Sequence, residues 1–133
     1  MSDKPARNKA HPEGLRLQTL AVRTAVERSQ YGENSEALYL TSGYVQPSAE
    51  ISARRFAGEE EGYTYGRSGN PTVSSMELRL AALEGTEACM ATSSGMSAIM
   101  LMCFSLLKAG DHVVFSQSMF GSTIKLIGSE FAR

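Results

Sequence analysis

The stretch Ala88–Phe104, ACMATSSGMSAIMLMCF, constrains the fold more than any other part of this chain. Its first five residues alternate small and apolar types, which predicts a short buried strand. Ser93, Ser94 and Gly95 are small enough to form a tight turn. From Met96 the apolar positions Met96, Ile99, Met100, Cys103, Leu106 and Leu107 recur at helical spacing. A strand, a tight turn and a helix in succession leave the first helical amides free at the positive end of the helix dipole. That arrangement is a cup for an anion, typically phosphate. The same residues also fit an ordinary strand-to-helix turn with a serine as N-cap.

With 133 residues the chain fits about one ordinary domain. The hydrophobic share of 42%, the charged share of 20% and the net charge of −1 describe a globular composition without a basic field. Nucleic acid and anionic membrane surfaces are therefore not expected as partners. No apolar run is long enough to span a bilayer, and the basic residues Lys4, Arg7 and Lys9 precede no apolar core of a secretory signal. Cys89 and Cys103 lack zinc or CxxC spacing and read as reduced core cysteines of a cytoplasmic protein; no metal site is expected.

Before the central stretch, Met1–Gly14 reads as a polar arm and Leu15–Glu27 as weakly helical. Residues 37–42 (ALYLTS) read as extended, and Ser48–Phe56 as a short helix capped by Ser48. The acidic run GEEEG at 58–62 reads as a solvated turn. Asn70 then caps a helix with Pro71 at its first position, Val73, Met76, Leu80 and Leu83 on its buried face, and Gly85 at its end. After the central helix, Gly110 is the predicted stop and His112–Ser116 (HVVFS) a buried strand. A last helix starts at Thr123 and runs to Arg133. Helices and strands alternating at this spacing predict a parallel sheet with right-handed crossovers. The loops 93–95 and 117–122 both leave carboxyl ends of strands, where such sheets bind ligands. Met90, Met96, Met100 and Met102 read as core filler.

The loop YTYGRSGNPT, residues 63–72, holds two tyrosines and Arg67, which has no nearby acidic residue in sequence. An arginine on a rigid loop suits fork-like binding of phosphate or carboxylate, with a tyrosine hydroxyl as an added donor. Tyrosines packed on a neighbour and a solvated arginine fit the pattern as well.

YTYGRSGNPT, LAALEGTEACMATSSGMSAI, LKAGDHVV and QSMFGST, in this order and spacing, resemble the pyridoxal-phosphate enzymes of cysteine and methionine metabolism. These are the cystathionine γ-synthases, cystathionine γ-lyases and sulfhydrylases. SEALYLTSGYV, GYTYGRSGNPTV and FGST place the likeness nearest the branch that acts on O-succinylhomoserine. The resemblance implies an α/β fold of the aspartate aminotransferase type (fold type I). Residues 1–60 would be its N-terminal arm and extended segment, and 61–133 the first part of its cofactor-binding large domain. Members are about three times as long, so the likeness covers an N-terminal third. The implied reaction is γ-replacement on O-succinylhomoserine with sulfide, giving homocysteine for methionine biosynthesis.

Carried over by position, Gly95 and Met96 offer backbone N–H groups to the cofactor phosphate. Phe120 takes the place of the aromatic residue, usually Tyr, that stacks on the pyridine ring. Tyr65 and Arg67 reach the phosphate of a neighbouring subunit in a homo-oligomer, a homotetramer in the family. Gly66 stands where Ser is frequent, a change expected to matter little. Ser122 stands where methionine γ-lyases tend to carry Cys, which weighs against a lyase. The Schiff-base lysine and the acidic partner of the pyridine nitrogen have no counterpart here; Lys4, Lys9, Lys108 and Lys125 match no lysine motif. The chain alone is therefore expected to be inactive. The other readings are cystathionine γ-synthase or γ-lyase activity, and an inactive fragment that only pairs with complete subunits.

Overall fold

The computed structural model of the chain describes residues 14–131. They form two compact units, one ending at Met90 and the other beginning at Ala91.

The first unit holds α1 (Leu17–Arg23), α2 (Ala49–Phe56) and α3 (Pro71–Glu84). α2 and α3 begin where their caps place them. Ser48 Oγ accepts from the Ile51 amide, and Asn70 Oδ1 accepts from the Thr72 amide with Pro71 at the first helical position. Gly85 ends α3 at φ +68°, the left-handed conformation that releases the chain from the last turn. α1 is shorter than the weak pattern over Leu15–Glu27 predicts and stops at Arg23.

α1 packs on α3, where Ala81 and Ala82 are only 1% and 2% exposed. Of the expected buried face, Val73, Met76 and Leu80 are 43%, 51% and 42% exposed, and Leu83 is half-buried. Arg79 fastens the end of α1. Its Nε and Nη2 donate to the Thr24 carbonyl at 3.3 and 3.2 Å, and its Nη1 donates to Glu36 Oε1 at 2.7 Å. That hydrogen bond holds the Glu36 carboxyl below the usual carboxylate range. The acidic run is not simply solvated either, since Glu60 pairs with Arg54 at 2.6 Å and Arg55 at 3.5 Å.

The second unit holds α4 (Gly95–Leu106) and α5 (Gly121–Lys125), which continues into a π turn over Leu126–Glu130. Cys103, Thr123 and Ile127 are buried, and Phe104 and Phe131 stack at 5.2 Å. α4 ends at Leu106, short of the stop expected at Gly110. Gly110, at φ +94°, serves the turn that follows, closed by the Lys108 amide donating to Asp111 Oδ2 at 2.8 Å. The final helix begins at Gly121, two residues before the expected Thr123, and its expected end at Arg133 lies outside the described residues.

The segments read as strands, 88–92 and 112–116, have no strand pairing among the described residues. The one backbone bridge there is antiparallel, between Gly43 and Tyr65. A sequence supplies a strand's preference, but the ladder needs a neighbour, and parallel strands need cover on both faces. Met90 and Val114 are accordingly 70% and 88% exposed. Exposure of Met100 and Met102 likewise corrects the reading of the methionines as core filler.

Candidate cofactor site

The chain presents two candidate anion-binding elements, one in each unit. In the first, the Gly43–Tyr65 bridge anchors the tyrosine loop. The Gly66 amide donates to the Ser42 carbonyl at 2.7 Å and the Tyr44 amide to the Thr64 carbonyl at 3.3 Å. The Tyr65 carbonyl accepts from the amides of Ser68 and Gly69 at 3.0 and 3.1 Å, folding residues 65–69 into a compact turn. A Cβ at Gly66 would lie 2.7 Å from the Thr41 carbonyl oxygen, which is backbone and cannot swing away. A serine at this position in this loop would therefore require the backbone near Thr41 to shift.

The Arg67 guanidinium lies 4.8 Å from the centre of the Tyr65 ring. Stacking of this kind holds an arginine in place without neutralising it. Neither the guanidinium nor the Tyr65 hydroxyl has a hydrogen-bond partner among the described residues. Asn70 secures the far side of the loop. Besides capping α3, its Nδ2 donates to the Tyr39 carbonyl at 2.9 Å, while the Tyr39 amide donates to Thr72 Oγ1 at 2.9 Å. The Asn-Pro pair showed the cap in sequence; the tie to a residue 31 positions away left no sequence signal.

The second element is the start of α4. Ser94 Oγ accepts from the Ser97 amide at 3.1 Å, and the Ser94 carbonyl accepts from the Ala98 amide at 3.1 Å and from Thr92 Oγ1 at 2.8 Å. The amides of Gly95 and Met96 have no acceptor among the described residues. A Cβ at Gly95 would meet nothing within 4 Å, so the approach to these amides is open. Two free N–H groups, a twelve-residue helix behind them and an unobstructed approach fit a phosphate monoester.

Thr123, which the sequence reading placed only as a helix start, joins α5 to this element. It is 1% exposed, its Oγ1 donates to Met96 Sδ at 3.7 Å, and its amide donates to the Phe120 carbonyl at 2.9 Å. Thr123 thus links Phe120, at the head of α5, to the first turn of α4. The Phe120 ring is 73% exposed and free to stack on a planar ligand. Lys108 lies beyond the opposite end of α4, Lys125 closes α5, and Lys4 and Lys9 lie outside the described residues.

The profile of the Cys/Met metabolism PLP-dependent enzymes matches residues 18–133. O-succinylhomoserine sulfhydrylase from Pseudomonas aeruginosa is 52% identical over 121 residues, covering 91% of this chain and 30% of that protein. L-methionine γ-lyase from Fusobacterium nucleatum subsp. polymorphum is 46% identical over 111 residues, 84% of this chain and 28% of that protein. An O-acetylhomoserine (thiol)-lyase structure from Campylobacter jejuni, which carries a pyridoxyl-lysine phosphate, superposes with a TM-score of 0.82 at 30% identity. It is matched over 89% of this chain and 29% of its own. The chain thus spans about a third of the length of the proteins it matches, and it has the N-terminal part of the type I fold.

Proposed function

Because the chain belongs to the Cys/Met metabolism PLP-dependent enzyme family, we propose that it serves γ-replacement on O-succinylhomoserine by sulfide, giving homocysteine. The complete enzyme would carry out this reaction, with these residues as its N-terminal third. The free Gly95 and Met96 amides beside an open approach carry the cofactor side of this reading. The substrate side is supported by the 52% identity to the Pseudomonas sulfhydrylase.

Pyridoxal 5′-phosphate, the cofactor of this family, supplies an electron sink for proton removal from the bound amino acid. The Gly95 and Met96 amides would hold its phosphate. Phe120, exposed at the head of α5, would stack on its ring and, lacking a hydroxyl, would take no part in proton transfer. Arg67, steadied by Tyr65, would reach the phosphate of a neighbouring subunit in a homo-oligomer, a contact its guanidinium suits. Lys4, Lys9, Lys108 and Lys125 match no lysine motif of the family, so we assign the covalent anchor to the remainder of the complete enzyme and expect the 133 residues alone to be inactive.

The 46% identity to a methionine γ-lyase supports a second reading, elimination rather than replacement. Assaying the complete enzyme with O-succinylhomoserine and sulfide, with O-succinylhomoserine and cysteine, and with methionine alone separates the candidates. Homocysteine from the first mixture is expected to dominate. Cystathionine from the second, or methanethiol from the third, as the faster product would overturn the proposal.

A further inference from the structure

One polar side chain in the first unit is fully engaged and has so far been given no role. Gln46 lies beside the bridge that anchors the tyrosine loop. Its Nε2 donates to the Tyr44 carbonyl at 2.9 Å and to the Tyr63 carbonyl at 3.0 Å. Its Oε1 accepts from Arg55 Nη1 at 2.8 Å. Arg55 in turn lies against Glu60, and a Cβ at Gly62 would overlap the Arg55 guanidinium, so the glycine leaves room for it. The rings of Tyr44 and Tyr63 pack at 5.5 Å over the same junction.

One side-chain amide therefore joins residues 44 and 63 across the loop's base. Only Thr64 separates Tyr63 from Tyr65. Backbone pairing at this junction is short, consisting of the Tyr44-to-Thr64 and Gly66-to-Ser42 bonds around an isolated bridge. So short a ladder does little to fix the loop's register, and the Gln46 cross-link adds two restraints beside it. Arg55, itself paired with Glu60, donates to the glutamine carbonyl, which leaves the NH2 group facing the two backbone carbonyls.

We propose that Gln46 is a positioning residue for phosphate binding: it holds the Tyr65–Arg67 loop in the register that presents the Arg67 guanidinium to the cofactor phosphate. This rests on the assignment of Arg67 to the phosphate made above. Gln46 touches no cofactor and acts through Arg67.

The test is pyridoxal phosphate binding to the complete apoenzyme, titrated by absorbance and fluorescence, with four variants. Gln46→Leu removes the cross-link. Gln46→Glu keeps the size and the partner for Arg55 but cannot donate to the carbonyls, so it carries the test if the leucine variant misfolds. Each is expected to raise the cofactor dissociation constant about tenfold, equivalent to about 1.4 kcal/mol. In an Arg67→Ala background, adding Gln46→Glu is expected to cost less than twofold further, because the group it positions is gone. If Arg67→Ala alone weakens binding while Gln46→Glu does not, or while Gln46→Glu costs its full tenfold in both backgrounds, the role given to Gln46 is wrong and the Arg67 assignment stands. If Arg67→Ala leaves binding unchanged, the assignment of Arg67 fails and this inference fails with it.

Discussion

Gly66 lies in the turn of the tyrosine loop and Gly95 opens α4, and the two do opposite things. Gly66 is enclosed: a Cβ there would strike the Thr41 carbonyl at 2.7 Å, so the residue is glycine because of what the chain itself places beside it. Gly95 is open, and a Cβ there would meet nothing within 4 Å. The tyrosine loop offers a side-chain charge, and it holds that charge with a bridge, the Gln46 cross-link and the Asn70 tie. The start of α4 offers backbone amides, which need only a helix, its serine cap and free space. A site built from side chains thus depends on an extended support, whereas one built from amides depends on what is left out.

The largest expected effect is on Arg67. Arg67→Ala should weaken cofactor retention in the complete enzyme by about 2–5 kcal/mol, the range for removing one partner of a hydrogen-bonded charge contact. Equilibrium dialysis of the holoenzyme checks it. Unchanged retention would put Arg67 among solvated surface arginines.

The two glycines can be set directly against each other. Gly66→Ser should cost about 1–3 kcal/mol of stability through the forced shift against Thr41. Gly95→Ala should leave urea stability unchanged or raised by up to about 1 kcal/mol, since alanine favours the helix, while cofactor affinity falls. Loss of stability at Gly95 with intact cofactor binding would reverse the comparison.

Asn70→Ala removes both the α3 cap and the tie to Tyr39. A loss of about 1–2 kcal/mol in chemical denaturation is expected. A smaller effect concerns Glu36, whose carboxyl is held low by Arg79. A depressed folded-state pKa means the stabilisation is complete above the unfolded value and is lost as pH falls through the folded one. Glu36→Gln should therefore destabilise the protein at neutral pH and converge with the parent in acid. Equal destabilisation at both ends would assign the effect to shape rather than charge.

The starts of α2, α3 and α4 were legible because their caps are local: Ser48, Asn70-Pro71 and Ser94 each act within three residues. The α4 amide cup was legible for the same reason. What the sequence did not show depends on partners. Periodicity marked Val73, Met76 and Leu80 as apolar, but not that Ala81 and Ala82 would be the buried positions of α3. Residues 88–92 and 112–116 have strand composition and no ladder, because pairing is a property of two segments. Gln46 lies outside the motifs, and FGST marked Thr123 without showing its partner, since their bonds run to residues 17 and 27 positions away.

The proposed function has the two elements serving one phosphate from two subunits. Mixing Arg67→Ala subunits with Gly95→Val subunits of the complete enzyme tests it most directly. If a site takes Arg67 from its partner and Gly95 from itself, a mixed dimer has one site with both lesions and one with neither. The expected result is recovery of about half the normal activity per mixed dimer. No recovery, with subunit exchange demonstrated, would contradict it.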